Sequence, residues 1–399
     1  MKTVLPTSDL TKFQYQLNNP NKNIKGEIEV VRKVQRITKN IILSNVSDAT
    51  GCGHIRCIFP MTYLNAEFGH KGEIVPFVSP FFIYQHDVLM RTRSILFQRT
   101  MNPNHLNNVL QYKELQKKYG YKMIYDIDDF IWDGKHEGEH IPDYNIASTR
   151  IGLKEKETAI KIMNLMDIVC VSTDFLKDYL INEKGVKSKV VVLQNTVAKH
   201  FWFNQGKRPK IKNKIEKPRI VYTGSPSHYC NFRKMKGDWD NAWLDWILKN
   251  VRDNKIDFMV VGGLPFFFES IKNKIIVLGW KNSYDYHTPI VRFRPDFGVA
   301  PLTFNYFNSA KSNLKLLEYS AVGAVAIGTT FTNGYPSPYD NNFVKTPDNI
   351  SVHEIDDLFE RIKEPDVFND IIDKQYKYLD EHDHWLDSKG YIDKLLTIF

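Results

Sequence analysis

The sequence of 399 residues lacks the features that identify membrane proteins and secreted precursors. No apolar segment reaches 18 uninterrupted residues, and the nearest, Ile74 to Met90, contains Gln85, His86 and Asp87. A membrane-spanning helix is therefore not expected. The first residues, MKTVLPTSDLTKFQYQ, contain no apolar stretch of the kind that a signal peptide requires.

Cysteine is scarce, and its spacing is irregular. The four cysteines are Cys52, Cys57, Cys170 and Cys230. They are too few and too scattered to form a disulfide framework, and Cys52 and Cys57 have no second pair that would complete a zinc site. This cysteine content favours a location in a reducing cytoplasm.

Acidic residues are fewer than basic ones. There are 46 Asp and Glu against 54 Lys and Arg, which gives a formal net charge of +8 and a pI of about 9.0. Such a balance favours a polyanionic partner, either a nucleic acid or an anionic membrane surface. The segment Gly206 to Arg219, GKRPKIKNKIEKPR, holds seven Lys or Arg and one Glu. It predicts a basic connection between domains or a contact with a polyanion.

Apolar runs that alternate with helical patterns predict an α/β fold with two successive domains. At 42% apolar and 13% aromatic residues, the chain can bury two cores. Near-continuous apolar runs are typical of parallel strands that are buried on both faces. The predicted strands are Asn40–Val46, Ile74–Val78, Ser94–Gln98, Lys122–Ile127, Ile168–Ser172, Lys189–Leu193, Arg219–Thr223, Phe258–Val261, Ile275–Leu278, Gly298–Leu302 and Ala324–Gly328. We expect domains at residues 1–203 and 219–375, a basic connection at 204–218 and C-terminal helices at 376–399.

The most informative segment is NYFNSAKSNLKLLEYSAVGAVAIGT, which follows an apolar strand. A helix is predicted to begin near Ser309, and Lys311, Lys315 and Glu318 at i, i+4 and i+7 would share one face of it. The N-terminus of a helix suits an anion, two lysines neutralise a diphosphate, and a carboxylate can accept hydrogen bonds from a ribose. A solvated charged face has the same spacing. The order strand, loop, helix, strand favours a nucleotide-diphosphate site, because ligands of α/β sheets bind at the carboxyl ends of strands.

A glycine-rich segment in the first half provides further candidates. Gly51 and Gly53 predict a tight turn before a helix from about His54 to Glu67. His54 and Arg56 could each contact a phosphate or a sugar, although both residue types are also common in purely structural positions.

Two adjacent carboxylates follow the predicted strand Lys122–Ile127. Asp128 and Asp129 could orient an acceptor hydroxyl or shift each other's pKa, or one of them could hydrogen-bond to loop backbone.

The loop after the first strand of the second half is the last candidate. Gly224 and Ser225 would allow backbone to approach a phosphate, and Arg233, Lys234 and Lys236 would add positive charge. A solvated basic loop is the alternative.

These segments together resemble the GT-B glycosyltransferases, in particular the family 4-like retaining enzymes that use nucleotide sugars. The matching segments, in chain order, are GCGHIR from Gly51, FQR from Phe97, YDIDD from Tyr125, VST from Val171 with VLQN from Val192, YTGSPSH from Tyr222, and FNSAKSNLKLLEYSAVGAVAIG from Phe307. The resemblance implies two facing Rossmann-like domains with parallel sheets and a C-terminal helix that crosses back to the first domain.

The resemblance also implies roles for the candidate residues. Residues 1–203 would bind the acceptor and residues 219–375 the donor, a UDP-sugar that serves as co-substrate without a required metal or cofactor. Catalytic or acceptor-orienting roles would fall to Asp128, Asp129 and His54. The donor-binding set would be Gly51, Gly53, Arg56, Gly224, Ser225, His228, Arg233, Lys311, Ser312, Lys315 and Glu318. One departure is that the sugar-facing glutamate of many relatives falls at Ala310.

The function implied is transfer of a sugar, glucose or arabinose, from a UDP-sugar to a hydroxyl. The Lys-, Asn- and Ile-rich composition resembles proteins of AT-rich phages, and phages with hydroxymethylcytosine DNA encode transferases of this general fold. Duplex DNA carrying 5-hydroxymethylcytosine in the host cytoplasm is therefore the expected acceptor. A cell-surface polysaccharide or glycolipid is the alternative. A non-catalytic module that binds nucleic acid or a nucleotide sugar is the second alternative, and Ala310 is the feature in its favour.

Overall fold

The computed structural model describes residues 41–48, 51–133, 141–341 and 343–399. Within them the chain forms two compact units. The first contains the described residues up to Asp128, together with Gly152–Asn195 and Leu386–Phe399. The second contains Asp129–Ile151 and Thr196–Trp385. The division at residues 204–218 that the composition suggests stays a prediction.

The first unit is built on a parallel sheet of six strands in the order β2-β1-β3-β4-β5-β6. The residues of its four central strands are mostly buried, as a sheet covered on both faces requires, whereas the edge strands β2 and β6 are partly exposed. They are β1 Ile41–Asn45, β2 Val75–Ser79, β3 Thr92–Gln98, β4 Lys122–Ile127, β5 Ile168–Val171 and β6 Lys189–Val192.

The helices of the first unit begin and end at residues suited to caps. At the start of the helix Asp174–Asn182, the Thr173 side chain accepts a hydrogen bond from Leu176 N at 3.2 Å. At the end of the helix Leu106–Tyr119 stands Gly120, with φ of +70°. The helical segments are Gly51–Gly53, His54–Ile58 (π), Phe59–Phe68, Gly69–Lys71 (3-10), His86–Leu89, Pro103–His105 (3-10), Leu106–Tyr119, Leu153–Met163, Asp174–Asn182 and Lys389–Ile398. The last helix, Lys389–Ile398, packs in the first unit, where Leu396 O accepts a hydrogen bond from Arg93 Nη2 at 3.3 Å.

The glycine-rich segment is helical, and the tight turn expected from its sequence is wrong. Gly51–Gly53 runs without a break into His54–Ile58 and Phe59–Phe68. Gly53 N donates to Asp48 Oδ1 at 3.3 Å, and a Cβ at Gly53 would lie 1.9 Å from Asp48 O. Glycine is therefore needed here for close approach of the preceding backbone and not for a turn.

The second unit is built on another parallel sheet of six strands, in the order β12-β11-β10-β7-β8-β9. The chain runs outward from β7 through β8 and β9, then returns to β10 beside β7, so the strand order reverses between β7 and β10. The strands are β7 Arg219–Thr223, β8 Asp257–Val261, β9 Ile276–Leu278, β10 Phe297–Ala300, β11 Val325–Thr330 and β12 Val344–Pro347. The short β12 was not predicted from the sequence.

Amphipathic helices cover the second sheet with aromatic side chains. The Trp246 and Phe359 rings stack with centroids 4.3 Å apart, and Phe359 also contacts Phe297 of β10. The helical segments are Ile146–Thr149, Lys199–Trp202, Asn241–Arg252, Phe266–Lys274 (3-10), His287–Phe293, Tyr306–Ser309, Leu314–Ala321, Val352–Ile362 and Pro365–Glu381. The predicted α/β architecture with two parallel sheets is confirmed.

The segment after β10 forms two helices, where the sequence predicted one helix from about Ser309. The first, Tyr306–Ser309, is capped by Asn305, whose side chain accepts from Asn308 N at 2.8 Å. The second, Leu314–Ala321, begins after a connection that contains Lys311. The lysine therefore does not lie on the helical face that its spacing indicated.

Candidate functional site

The carboxyl ends of β7 and β10 bring together the loops that hold the candidate donor residues. These strands are neighbours at the reversal of strand order, which is where α/β sheets bind ligands. The loop after β7 runs from Gly224 to Asp240 and turns back on itself at Gly237. Asp238 N donates to His228 O at 2.9 Å, and Gly237 has φ of +66° with its would-be Cβ only 2.0 Å from His228 O. Only glycine allows this reversal, which sets His228 beside Asp238.

A buried carboxylate is the centre of the cluster. The side chain of Asp238 has no exposed surface. Its Oδ1 accepts from Tyr144 Oη at 2.6 Å and from Asn308 Nδ2 at 2.5 Å, and its Oδ2 lies 2.6 Å from His228 Nδ1. An ionised carboxylate only accepts hydrogen bonds, so Nδ1 of His228 carries the proton and donates it to Asp238.

Two lysines from the segment after β10 reach the same cluster. Lys315 Nζ lies 3.2 Å from His228 Nε2, to which it donates. Lys311 Nζ lies 3.5 Å from Asp238 Oδ2 and 3.2 Å from His228 Nδ1. Aromatic faces support both cations, since Lys311 is 4.7 Å from the Phe307 ring centroid and Lys315 is 5.1 Å from that of Tyr222.

The charges in this cluster are strongly coupled. Burial, with Lys311 and Lys315 nearby, lowers the pKa of His228 to about 3, so the imidazole is neutral at pH 7. Burial opposes ionisation of Asp238, but Lys311 and His228 outweigh it and hold the pKa of its carboxyl below the ordinary value. Burial and the charge of Lys311 lower the pKa of Lys315 to about 7.

Two carboxylates affect the pKa of Lys311. Burial lowers the pKa of Lys311, whereas the charges of Asp238 and Asp129 raise it. A site with two partly buried lysines favours a multiply charged anion, because such a ligand stabilises the charged amines against the loss of water.

A carboxyl group stands one turn further along the helix Leu314–Ala321. Glu318 is 5% exposed, and its Oε2 accepts from Tyr286 Oη at 3.1 Å. Burial raises the pKa of Glu318 to about 8, against the opposing effects of Tyr286 and Lys315. The site thus combines cationic groups for phosphates with a hydrogen-bonding carboxyl group at the distance of a helical turn.

The other predicted residues of the second unit lie at different distances from this cluster. Gly224 is buried at the end of β7, and Ser225 Oγ contacts Ser227 Oγ at 2.6 Å. Ser312 lies in the connection beside Lys311. Arg233 is exposed, and its Nη1 donates to Asp143 O at 3.5 Å rather than joining the buried cluster.

The residue that replaces the expected sugar-facing glutamate is enclosed. Ala310 has no exposed surface, and its N–H donates to Tyr306 O at 3.0 Å.

The candidates of the first unit are buried in its own packing. His54 has no exposed surface, and its ring packs edge-on against Phe59 with centroids 5.4 Å apart. Arg56 makes a buried ion pair with Asp126, at 2.6 Å between Nη2 and Oδ2, and also donates to Asn195 Oδ1 at 3.0 Å. These contacts favour a structural role for Arg56, because leaving Asp126 unpaired in the interior would be costly. Gly51 and Gly53 lie in the helical segment before it.

The two adjacent carboxylates divide between the units. Asp128 follows β4 in the first unit, where its backbone oxygen accepts from Ser172 Oγ at 3.2 Å. Asp129 groups with the second unit, and its charge raises the pKa of Lys311 there.

Four residues of the site were not identified from the sequence, namely Asp238, Tyr144, Asn308 and Tyr286. Tyr144 lies 94 positions before Asp238, so no local pattern could connect them. The pair Gly237-Asp238 was the one available signal, since a glycine before a polar residue often marks a loop that returns on itself.

The basic segment at residues 206–219 is largely neutralised within the second unit. Five of its seven basic side chains form ion pairs with carboxylates there. The pairs are Arg208–Asp296, Lys210–Asp373, Lys214–Glu360, Lys214–Glu364, Lys217–Asp257 and Arg219–Asp296. This segment is therefore a weaker candidate for a polyanion contact than its composition indicates.

A search of the helices in the described part of the chain finds none with the length and hydropathy of a membrane span.

Comparison with known proteins places the fold. The sequence matches no protein-family model and no curated protein. The structure is similar to that of an alpha-glucosyltransferase in complex with UDP and a 13-mer DNA containing an HMU base, with a TM-score of 0.55 and 12% identity over 90% of this chain and 98% of that one. It is also similar to a glycosyltransferase from Rickettsia africae ESF-5, with a TM-score of 0.52 and 13% identity over 90% and 97%.

A third similar structure is that of a synthase. The alpha,alpha-trehalose-phosphate synthase (UDP-forming) of Burkholderia vietnamiensis matches with a TM-score of 0.52 and 10% identity, over 91% of this chain and 98% of that one. The chain therefore has the α/β fold of the GT-B glycosyltransferases. Likeness at this level of identity establishes the fold alone, because one fold can carry many different functions.

Proposed function

We propose that this chain is a retaining glycosyltransferase that moves a sugar from a UDP-sugar to a hydroxyl group. The observation that supports the proposal most is the partly buried cluster of His228, Lys311 and Lys315 at the carboxyl ends of β7 and β10, with Glu318 one turn beyond. A UDP-sugar carries the two features that this arrangement suits, a diphosphate and a ribose diol. The similar structures, which include UDP complexes, agree with this ligand.

Each group has a role that follows from its charge. Lys311 and Lys315 would neutralise the diphosphate as negative charge develops on the departing oxygen, and the enclosed site makes that stabilisation stronger than it would be in water. Glu318 would accept hydrogen bonds from the ribose hydroxyls. Asp128 and Asp129 would orient the acceptor hydroxyl, while the departing phosphate receives its proton. No metal is needed for this chemistry, because the lysines provide the positive charge.

Donor use can be tested without knowing the acceptor. Slow hydrolysis of a UDP-sugar, detected as release of UDP, distinguishes an enzyme from a module that only binds. We expect UDP release from UDP-glucose or UDP-arabinose to exceed the rate without protein, and to fall when Lys315 is replaced by Ala. Tight UDP binding without any turnover, in the presence of every acceptor tested, would favour the non-catalytic alternative.

The acceptor that we propose is 5-hydroxymethylcytosine in duplex DNA. The net charge of +8 suits a polyanion, and one of the similar structures is a complex with DNA that contains an HMU base. The ion pairs of residues 206–219 mean that other basic residues would have to contact the phosphates. A hydroxyl on a base must be reached in the major groove or by flipping the nucleotide out of the duplex.

The acceptor experiment compares two duplexes of one sequence. Hydroxymethylated DNA should gain the mass of one sugar per modified base with the correct UDP-sugar, whereas unmodified DNA should bind at low salt and gain none. DNA affinity should fall steeply as salt rises, because phosphate contacts release counterions. If a saccharide or lipid-linked acceptor gains the sugar and hydroxymethylated DNA does not, the surface-glycan alternative is correct.

A further inference from the structure

The Asp238 carboxylate is the most enclosed acidic group beside the two lysines, and four side chains from three segments contact it. Tyr144 precedes β5 in the chain but belongs to the second unit. His228 lies in the loop after β7, and Asn308 and Lys311 lie in the segment after β10. All of these residues belong to the second unit. With two partners on each oxygen, the acceptor capacity of the carboxylate is well used.

A counter-ion is needed here because two partly buried lysines lie close together. Their mutual repulsion and their loss of water both favour the neutral amines. The groups that face Lys311 are Asp238, Asp129, His228 and the Phe307 ring. Those that face Lys315 are His228, Lys311, Asp238, Glu318 and the Tyr222 ring. Asp238 acts on both lysines, and it also lies in hydrogen-bonding contact with the histidine between them.

The imidazole of His228 connects the carboxylate to the second lysine. Because Nδ1–H donates to Asp238, Nε2 has a free electron pair that accepts from Lys315. A neutral ring fixes the direction of the Lys315 ammonium without adding a second negative charge.

We infer that Asp238 is a positioning residue of the donor site, which keeps Lys311 and Lys315 charged and, through His228, aims Lys315 at the diphosphate. This inference rests on the proposed function for the identity of the ligand. Asp238 does not touch the donor, because its side chain is fully covered by Tyr144, Asn308, His228 and Lys311. Its effect on the lysines is electrostatic and can be measured without any ligand.

The variant Asp238→Asn keeps the shape of the side chain and removes the charge. The first measurement is the pKa of Lys315 by NMR of carbon-13 methylated lysines, with the signal assigned by its loss in Lys315→Arg. The second is UDP affinity by calorimetry between pH 6 and pH 9, in a Glu318→Gln background so that titration of Glu318 does not contribute.

We expect Asp238→Asn to lower the pKa of Lys315 by about one unit, so that UDP affinity falls roughly tenfold at pH 8 but only about twofold at pH 6. Tyr144→Phe removes a hydrogen bond from Asp238 but not the charge, so its pH profile should match that of the parent. Asp296→Asn is the matched control for loss of a buried carboxylate, because Asp296 is 4% exposed and pairs with Arg208 in the same unit. It should lower stability without moving the pH profile.

The outcomes separate the two proposals. An unchanged Lys315 pKa and an unchanged pH profile in a folded Asp238→Asn protein overturn the positioning role. If the parent protein binds no UDP but the Lys315 pKa still falls in Asp238→Asn, the positioning role stands and the proposed donor is wrong. If Asp238→Asn does not fold, the double variant Lys311→Met/Asp238→Asn decides, because neither member of the ion pair is then left without its partner. The pKa of Lys315 should be lower in the double variant than in Lys311→Met alone, and equal values would contradict the inference.

Discussion

Single side chains at the site can be tested by removing them one at a time. We expect Lys315→Ala and Glu318→Ala each to weaken UDP binding by about 10- to 150-fold, the equivalent of about 1.5–3 kcal/mol for a hydrogen bond to a charged group. Titration calorimetry measures the loss. Lys345→Ala, at an exposed lysine of β12, is the control and should bind UDP normally. Unchanged affinity in both site variants would remove the helix Leu314–Ala321 from the donor site.

The pH dependence of UDP binding follows from Lys315, which is partly buried. The pKa of Lys315 is about 7 in the free protein, and a bound diphosphate will raise it. Below pH 7 the amine already carries its proton, so affinity is insensitive to pH through this group. Above pH 7 binding must take up a proton, and affinity should fall by up to tenfold per pH unit.

Glu318 acts in the opposite sense. Its pKa is about 8, so it must lose a proton to become a carboxylate for the ribose, which offsets the proton that Lys315 takes up. Calorimetry of Glu318→Gln at pH 8 in buffers of different ionisation enthalpy should therefore show net proton uptake on UDP binding, larger than in the unaltered protein. The absence of uptake in the variant would mean that Lys315 is already protonated.

The adjacent carboxylates Asp128 and Asp129 are expected to act on the acceptor. Replacement of either by Asn should reduce sugar transfer far more than UDP binding, because an acceptor-orienting group contributes to the chemical step and not to donor affinity. Parallel assays of transfer rate and UDP affinity provide the measurement. Reduced thermal stability with normal activity per folded molecule would instead identify a loop-closing role.

At the scale of an element, the loop between β7 and the helix Asn241–Arg252 depends on one glycine. A methyl group at Gly237 would lie 2.0 Å from His228 O, so Gly237→Ala should displace His228 and weaken UDP binding at least tenfold. Gly334→Ala is the matched control, because Gly334 also has positive φ, +83°, but has open space around its Cβ position. Both variants bear the backbone strain, and only the first meets the clash. Equal UDP affinity in the two would show that the loop tolerates the change.

At the scale of the whole molecule, the donor residues on which the proposal rests most belong to the second unit. Saturation with UDP at about 100 times its Kd should stabilise that unit by about 2.7 kcal/mol. Scanning calorimetry should then show one unfolding transition that UDP moves to higher temperature, and a second that it leaves in place. Lys315→Ala, at the same UDP concentration, should reduce this stabilisation to about 0.3–1.4 kcal/mol and the shift in proportion. A single transition that moves as a whole would mean that the two units unfold together.

Most strands were predictable because their chemistry is local. Residues 122–127 (KMIYDI) and 219–223 (RIVYT) are mostly apolar, and the structure has strands at Lys122–Ile127 and Arg219–Thr223. The glycine-rich segment failed as a predictor because a glycine can serve either a turn or a close backbone contact, and only the position of Asp48 shows which.

The candidate site was partly predictable in the same way. Lys315 and Glu318 lie on one short helix, so their spacing was sufficient to associate them. Lys311 reaches the cluster from a connection outside that helix, a placement which depends on how Asn305 caps the preceding turn.

The alternation of strands and helices, the α/β class and the position of the lysine-bearing segment could be predicted from the residues, because they follow from apolar runs and spacings within a few turns of chain. The meeting of Asp238, His228 and Tyr144 at the end of β7, and the pairing of Arg56 with Asp126, depend instead on the folded chain. Such contacts join residues 10 to 94 positions apart. They depend on strand order and loop reversal, which no local pattern of residues records.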